Sequence, residues 1–253
     1  MTKAITAETQ ARIDLAAALR SASRMGLGEG ICNHFSVEVP DRPGHFLINP
    51  QGLHWSEVTP ADLVMVDGQG RKIAGKLEVE PTAFFIHGAA HRSKPDAKCV
   101  LHTHMPFATT LTVVHGGRIE PVSQIALKFH GRDAYDDNYN GLALDAAEGA
   151  RIVSGLKSAD ILFLANHGII VTGPSIDIAF DDLYYLERAC MLQVLGMGTG
   201  KPLRQVPDAI ARKTAAQMTD DTQARLHFVA LKRLLDRDEP GWSHLQSDGV
   251  TVL

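Results

Sequence analysis

Two short segments carry side chains able to hold a metal: His102-Thr103-His104, and Asn166-His167-Gly168 further along the chain. Alternate residues of a β-strand point to the same face, so histidines at i and i+2 can offer two imidazoles to one ion. Cys99-Val100-Leu101, just ahead, is apolar and strand-like, and Pro106 suits the first position of a following helix. Ile161-Leu162-Phe163-Leu164-Ala165 reads as a second strand that delivers His167 at its C-terminal end. Three imidazoles at strand ends, where loops form a cleft, make a first shell for a divalent cation with coordination positions left open. The bland alternative is three hydrogen-bonded structural histidines. Neutral imidazole suits Zn, Mn, Fe and Co alike, so the trio specifies a site better than it specifies the metal; zinc is the first expectation.

Groups able to move protons lie around this centre. His34 follows Asn33 after a glycine-rich turn, in a loop position where function commonly sits, though an exposed loop histidine would look the same. Glu78 and Glu80 stand before the helix that precedes the first metal strand, and a carboxylate there would serve as general base or fourth ligand. For Glu78 a solvated acid at a helix N-terminus explains the position equally well. His87 and His91, at i and i+4 on one helix face, lack the glutamate of an HExxH motif and read as a core or interface pair. Tyr135, Asp136, Asp137 and Tyr139 read as a polar aromatic loop that could close over substrate, with Tyr135 as a candidate acid, though a plain surface turn explains Asp136-Asp137-Asn138 equally well. Glu187 and Arg188, beside Tyr184 and Tyr185 on a long helix, read as structural. Gly26-Leu27-Gly28-Glu29-Gly30 follows a helix and lacks the P-loop lysine, so it is weak as a nucleotide signature.

The elements that must position these groups follow from periodicity and punctuation. Helices are expected at about Glu8–Met25, Pro81–Arg92, Ile176–Leu195 and Ala224–Asp236, and Asp145-Ala146-Ala147-Glu148 opens another. Strands are expected at Phe35–Val39 and His45–Ile48, with a hairpin of Leu63–Val66 and Arg71–Ala74 around Asp67-Gly68-Gln69-Gly70. Thr59-Pro60-Ala61-Asp62 reads as a single helical turn. Strands and helices alternate without a regular βαβ rhythm. The expected fold class is therefore α/β: a three-layer α/β/α domain around a mixed, largely antiparallel sheet. Residues 1–200 are expected to form this metal-binding domain, and 201–253 a helical extension packed on it or on a neighbouring subunit.

Composition narrows the function classes. A length of 253 residues permits one large domain or two small ones, and 45% hydrophobic with 21% charged residues is ordinary for a soluble protein. A net charge of −4 with scattered Lys and Arg leaves no electrostatic footprint for nucleic acid. No apolar run approaches the roughly 20 residues needed to span a bilayer. The first residues lack the apolar core of a secretory signal, so the cytoplasm is the expected compartment. Cys32, Cys99 and Cys190 fit neither a disulfide framework nor a CxxC site.

Taken in order, Asn33-His34-Phe35-Ser36, Phe46-Leu47-Ile48-Asn49-Pro50-Gln51-Gly52-Leu53, Asp62-Leu63-Val64, Pro95-Asp96-Ala97, His102-Thr103-His104-Met105-Pro106 and Asn166-His167-Gly168 resemble the class II aldolase/adducin superfamily from about Leu15 to Leu195. The resemblance implies a divalent metal on His102, His104 and His167, metal-stabilised enolate chemistry and assembly as a homotetramer. Its sugar-phosphate enzymes carry a Ser-Ser-Glu segment with the glutamate four residues ahead of a histidine; here that position is Ala83, with no serine pair before it. Glu80, seven residues ahead of His87, is the nearest substitute. The expectation is a metal-dependent carbon–carbon lyase, by retro-aldol cleavage or decarboxylation, acting on a small non-phosphorylated hydroxy- or oxo-carboxylate. Glu80, His34 or Tyr135 would handle protons. An Fe(II) oxygenase of the same fold and a non-catalytic oligomerisation module, as in adducin, are the competing readings.

Overall fold

The computed structural model describes residues 5–245. Eight strands form one sheet: β1 (His34–Glu38), β2 (His45–Ile48), β3 (Val64–Asp67), β4 (Lys72–Ala74), β5 (Cys99–Thr103), β6 (Asp133–Asp136), β7 (Ile161–Leu164) and β8 (Gly168–Gly173). Their spatial order is β4-β3-β2-β1-β5-β8-β7-β6. Every neighbouring pair is antiparallel except β6 with β7. The sheet is mixed and largely antiparallel, as the irregular alternation of elements predicts.

Alternation along the strands divides the core between two faces. Phe35 and Val37 of β1, Cys99 and Leu101 of β5, Ile161 and Phe163 of β7, and Ile169 and Val171 of β8 pack into one cluster. Helices α1 (Ala7–Arg24), α3 (Pro106–Val113), α5 (Ile176–Met197) and α7 (Thr222–Asp238) supply its other side through residues such as Leu15, Leu19, Leu111, Leu183 and Phe228. Val100, Leu162, Leu164 and Ile170 pack on the opposite face, against Ile86, Ala89 and Ala90 of α2 (Pro81–Ser93) and Ile152 at the end of α4 (Ala146–Ile152). Helix α6 (Asp208–Gln217) is mostly exposed, with Ala211 buried. Helix α7 is tied to the first helix by Lys232–Asp14 (2.7 Å), and just past its end Glu239 pairs with Arg20 (2.6 Å). No helix among the described residues is long and apolar enough to cross a membrane.

Local signals explain most boundaries. Thr6 caps α1 by accepting the Thr9 N–H (3.1 Å), and Asp145 caps α4 through the Glu148 N–H (2.8 Å). In the β3–β4 hairpin, one Asp67 oxygen accepts the N–H groups of Gln69 and Arg71 (3.0 and 2.9 Å). Gly70 there has φ +83°, and a Cβ on it would lie 2.3 Å from the Phe84 ring. Thr59-Pro60-Ala61-Asp62 closes a single hydrogen-bonded turn and not a helical one. The segment expected as a loop at Tyr135 and Asp136 is the edge strand β6. An edge strand is covered on fewer sides than a central one, so Asp133-Ala134-Tyr135-Asp136 needs no apolar run and gave no strand signal.

Candidate metal centre

The register of the central strands assembles the histidines. His34 pairs across β1–β5 with His102, and His102 pairs across β5–β8 with Ile170. His104 lies just past the end of β5, and His167 in the tight turn from β7 to β8. That turn requires Asn166 in the left-handed region, φ +56°, a conformation asparagine tolerates better than most residues. A Cβ on Gly168 would lie 2.5 Å from the His104 ring and 2.7 Å from the Thr103 carbonyl oxygen. Thr103 points into the core and donates its hydroxyl to the Leu27 carbonyl. The result is one nitrogen from each of His102, His104 and His167, all within 4.8 Å of one another.

Hydrogen bonds set which nitrogen His102 and His104 present. His102 Nδ1 donates to the Ile169 carbonyl (2.9 Å), which leaves Nε2 as the lone-pair atom. His104 Nδ1 lies 2.5 Å from a carboxylate oxygen of Glu29, which likewise reserves Nε2. That Nε2 is buried and has no hydrogen-bond partner among the described residues. A buried unpartnered acceptor is costly, and a cation shared with the nitrogens of His102 and His167 removes the cost. Burial, reinforced by the neighbouring imidazoles, holds His102 well below the usual histidine range; the same two causes lower His167 to about 4. His102 and His167 are thus neutral at physiological pH, the state that ligates a metal. The donor set and its orientation fit a divalent cation.

The trio borders a cavity of about 290 Å³ whose wall also includes Asn33, His34, Asn49, Glu80, Ala83 and Leu142. None of its lining residues is a lysine or arginine among the described residues. His34 is buried, not a free loop residue, and its ring stacks on His102 at 4.9 Å between centroids. Glu80 caps α2, accepting the Ala83 N–H (2.8 Å) and the Thr82 hydroxyl, with the same oxygen 3.9 Å from His34 Nε2. Ala83 lines the cavity and is itself buried, packed with Phe46 and Ile48. Glu78 is exposed and pairs with Lys72.

Tyr135 is not brought to this cavity. It lines a separate one of about 490 Å³ with Arg118, Asp137 and Asn166; its ring stacks on Phe163 at 5.0 Å and its hydroxyl accepts the Ile119 N–H (3.0 Å). Burial pushes its acidity far down, which does not suit a proton donor. Two residues in contact with His104 escaped sequence reasoning. Glu29 is hidden in a glycine-rich loop whose fold could not be anticipated. Asn33, at φ +79°, accepts the Glu29 and His104 N–H groups (3.1 and 3.4 Å) and so ties that loop to the strand exit. Its position beside His34 in the Asn-His pair was the available signal.

Residues 13–194 match the model of the class II aldolase and adducin N-terminal domain. The chain belongs to the class II aldolase and adducin family. It is 36% identical over 243 residues to a Pseudomonas aeruginosa protein named after the class 2 aldolases, covering 93% of each chain. It is 31% identical over 225 residues to the decarboxylase NovR of Streptomyces niveus, covering 86% of this chain and 83% of the other. Among solved structures, an aldolase II superfamily protein from Pseudomonas syringae superposes with a TM-score of 0.85 at 35% identity, covering 91% of this chain and 94% of that one.

Proposed function

We propose that this chain is a divalent-metal-dependent carbon–carbon lyase acting on a small, non-phosphorylated hydroxy- or oxo-carboxylate. The observation that carries the reading is the orphaned, carboxylate-oriented Nε2 of His104 beside His102 and His167, at a cavity that no lysine or arginine among the described residues lines. His102, His104 and His167 would hold the ion, with zinc the first expectation and Mn, Fe or Co also suited to three imidazoles. When bound, a divalent ion supplies Lewis-acid polarisation of a carbonyl and stabilises the electron pair left by the broken C–C bond.

The chain's own residues do the rest. Glu29 and the Ile169 carbonyl orient the imidazoles, while His34 and Glu80 are the groups within reach of a substrate proton. Among the described residues a phosphate would find no side-chain cation in this wall, whereas a single carboxylate needs only the ion. The relation to a decarboxylase supports C–C cleavage as the reaction type.

Leu142 borders the cavity yet is 67% exposed, which supports a neighbouring subunit covering that rim and the family-like homotetramer proposed here. Light scattering on the purified protein should give four times the chain mass, and a stable monomer would remove that part. For the reaction, purified protein is assayed for release of carbon dioxide or aldehyde from hydroxy- and oxo-acids. Activity should vanish on chelation, return with Zn, Mn or Co, and proceed without dioxygen. Persistent turnover in metal-free protein would overturn the lyase reading, and a strict need for dioxygen would replace it with an oxygenase.

A further inference from the structure

Behind the cavity wall, four side chains form one buried hydrogen-bonded line. His91 Nδ1 lies 3.1 Å from the Ala97 carbonyl oxygen, and His91 Nε2 lies 2.8 Å from Ser36 Oγ. The same Oγ lies 2.6 Å from His87 Nδ1, and His87 Nε2 lies 2.9 Å from His34 Nδ1. Ser36, His87, His91 and His34 are all buried. The match is geometric: His34 and Ser36 are i and i+2 on β1, about 6.8 Å apart, and His87 and His91 are i and i+4 on α2, about 6 Å apart.

The direction of every bond in this line follows from its inner end. A carbonyl oxygen carries no proton, so His91 Nδ1 must donate to Ala97. Burial holds His91 neutral, lowered to about 4, so its Nε2 is then a bare lone pair. Ser36 has one proton and gives it to that lone pair, which obliges its oxygen to accept from His87 Nδ1. His87 Nε2 is thereby left bare and accepts from His34 Nδ1. Reversing the line would set two lone pairs against each other at 3.1 Å in a buried place.

We infer that Ala97, His91, Ser36 and His87 form a tautomer-setting line that places the proton of the neutral His34 ring on Nδ1, so that Nε2, 3.9 Å from Glu80 Oε2, is the nitrogen turned to the cavity as a hydrogen-bond acceptor. The consequence is substrate choice. A ligand group seated at His34 must be a donor, so the cavity selects a hydroxy-acid over the oxo or deoxy acid of the same shape, because a buried acceptor left unpaired penalises the analogue. The tautomers stand independently of the lyase reading, whereas the choice of substrate rests on it. His87, Ser36 and His91 are positioning residues, and only His34 would touch the ligand.

The test is the tautomer itself. Long-range proton–nitrogen NMR on ¹⁵N-histidine protein, metal-free and at neutral pH, should show His34, His87 and His91 each protonated at Nδ1 and bare at Nε2. An Nε2–H form at any of the three overturns the proposal without recourse to a variant. Ser36→Ala should convert His34 to a mixture of tautomers, and Ser36→Thr should restore the single form; an unchanged His34 in folded Ser36→Ala would also overturn it. In zinc-loaded protein, 3-hydroxypropanoate should bind at least tenfold more tightly than propanoate, and Ser36→Ala should bring that ratio close to one. A ratio near one in the wild type would overturn the substrate choice while leaving the tautomer assignment to the NMR. Absence of zinc uptake would instead count against the lyase reading.

Discussion

Glu29 shows how much a single exposed side chain can do at this centre. Its carboxylate accepts a hydrogen bond from His104 Nδ1–H and so decides which nitrogen meets the cation. Carboxylates behind metal-binding histidines are commonly worth tenfold to a hundredfold in affinity. Glu29→Ala should therefore weaken zinc binding about 10- to 100-fold with little loss of fold stability, read by isothermal titration of metal-free protein. Unchanged affinity would mean that His104 is held by its strand alone. Gly168 makes the complementary point, since its missing Cβ leaves the His104 ring its place.

At the scale of elements, the exit of β5 into α3 holds His104 in register. Met105 supplies no side-chain cap to α3. The cap comes from elsewhere: Glu187, on α5, accepts the Phe107 and Ala108 N–H groups at 2.9 and 2.8 Å, one on each oxygen. Burial raises its pKa despite those two bonds, the mark of a carboxylate held where it is needed. Glu187→Ala takes the acceptor from two N–H groups, that of Ala108 buried and that of Phe107 half-buried, and should cost about 1–3 kcal/mol in urea unfolding. Zinc affinity should fall with it, because His104 sits one turn away on the same exit; Glu187→Gln keeps one acceptor and should lie between the two.

The whole molecule carries its buried histidines neutral, and this makes its stability depend on pH. His34, His87, His91, His102 and His167 all titrate below their usual value, chiefly through burial. Below about pH 6.5 the unfolded chain takes up protons that the folded chain refuses, so stability declines as pH falls, and the decline levels off once the folded groups titrate. For His91, lowered to about 4, the cost across that window is on the order of 3 kcal/mol. Urea midpoints of metal-free protein should thus drop steadily between about pH 6.5 and pH 4; a flat profile would show the imidazoles to be hydrated or charged in the fold.

Local signals made much of this legible beforehand. The i, i+2 spacing of His102 and His104, the apolar strands leading to them, the Asp145 cap and the turn at Asp67–Gly70 are encoded within a few residues each, where backbone stereochemistry alone dictates the outcome. Ala83 and the absent serine pair were likewise plain in the chain. Tertiary structure decided what depends on distant segments meeting. Tyr135 reads as a loop residue because an edge strand needs little hydrophobicity, and it was packing on β7 that set it apart from the metal cavity. His34, Glu29 and the line from Ser36 to His91 acquire roles only when β1, α2 and a glycine-rich loop are brought together. A side chain's chemistry is written in its type, but its tautomer and reach are set by partners far away in sequence, and those are fixed only when the chain has folded.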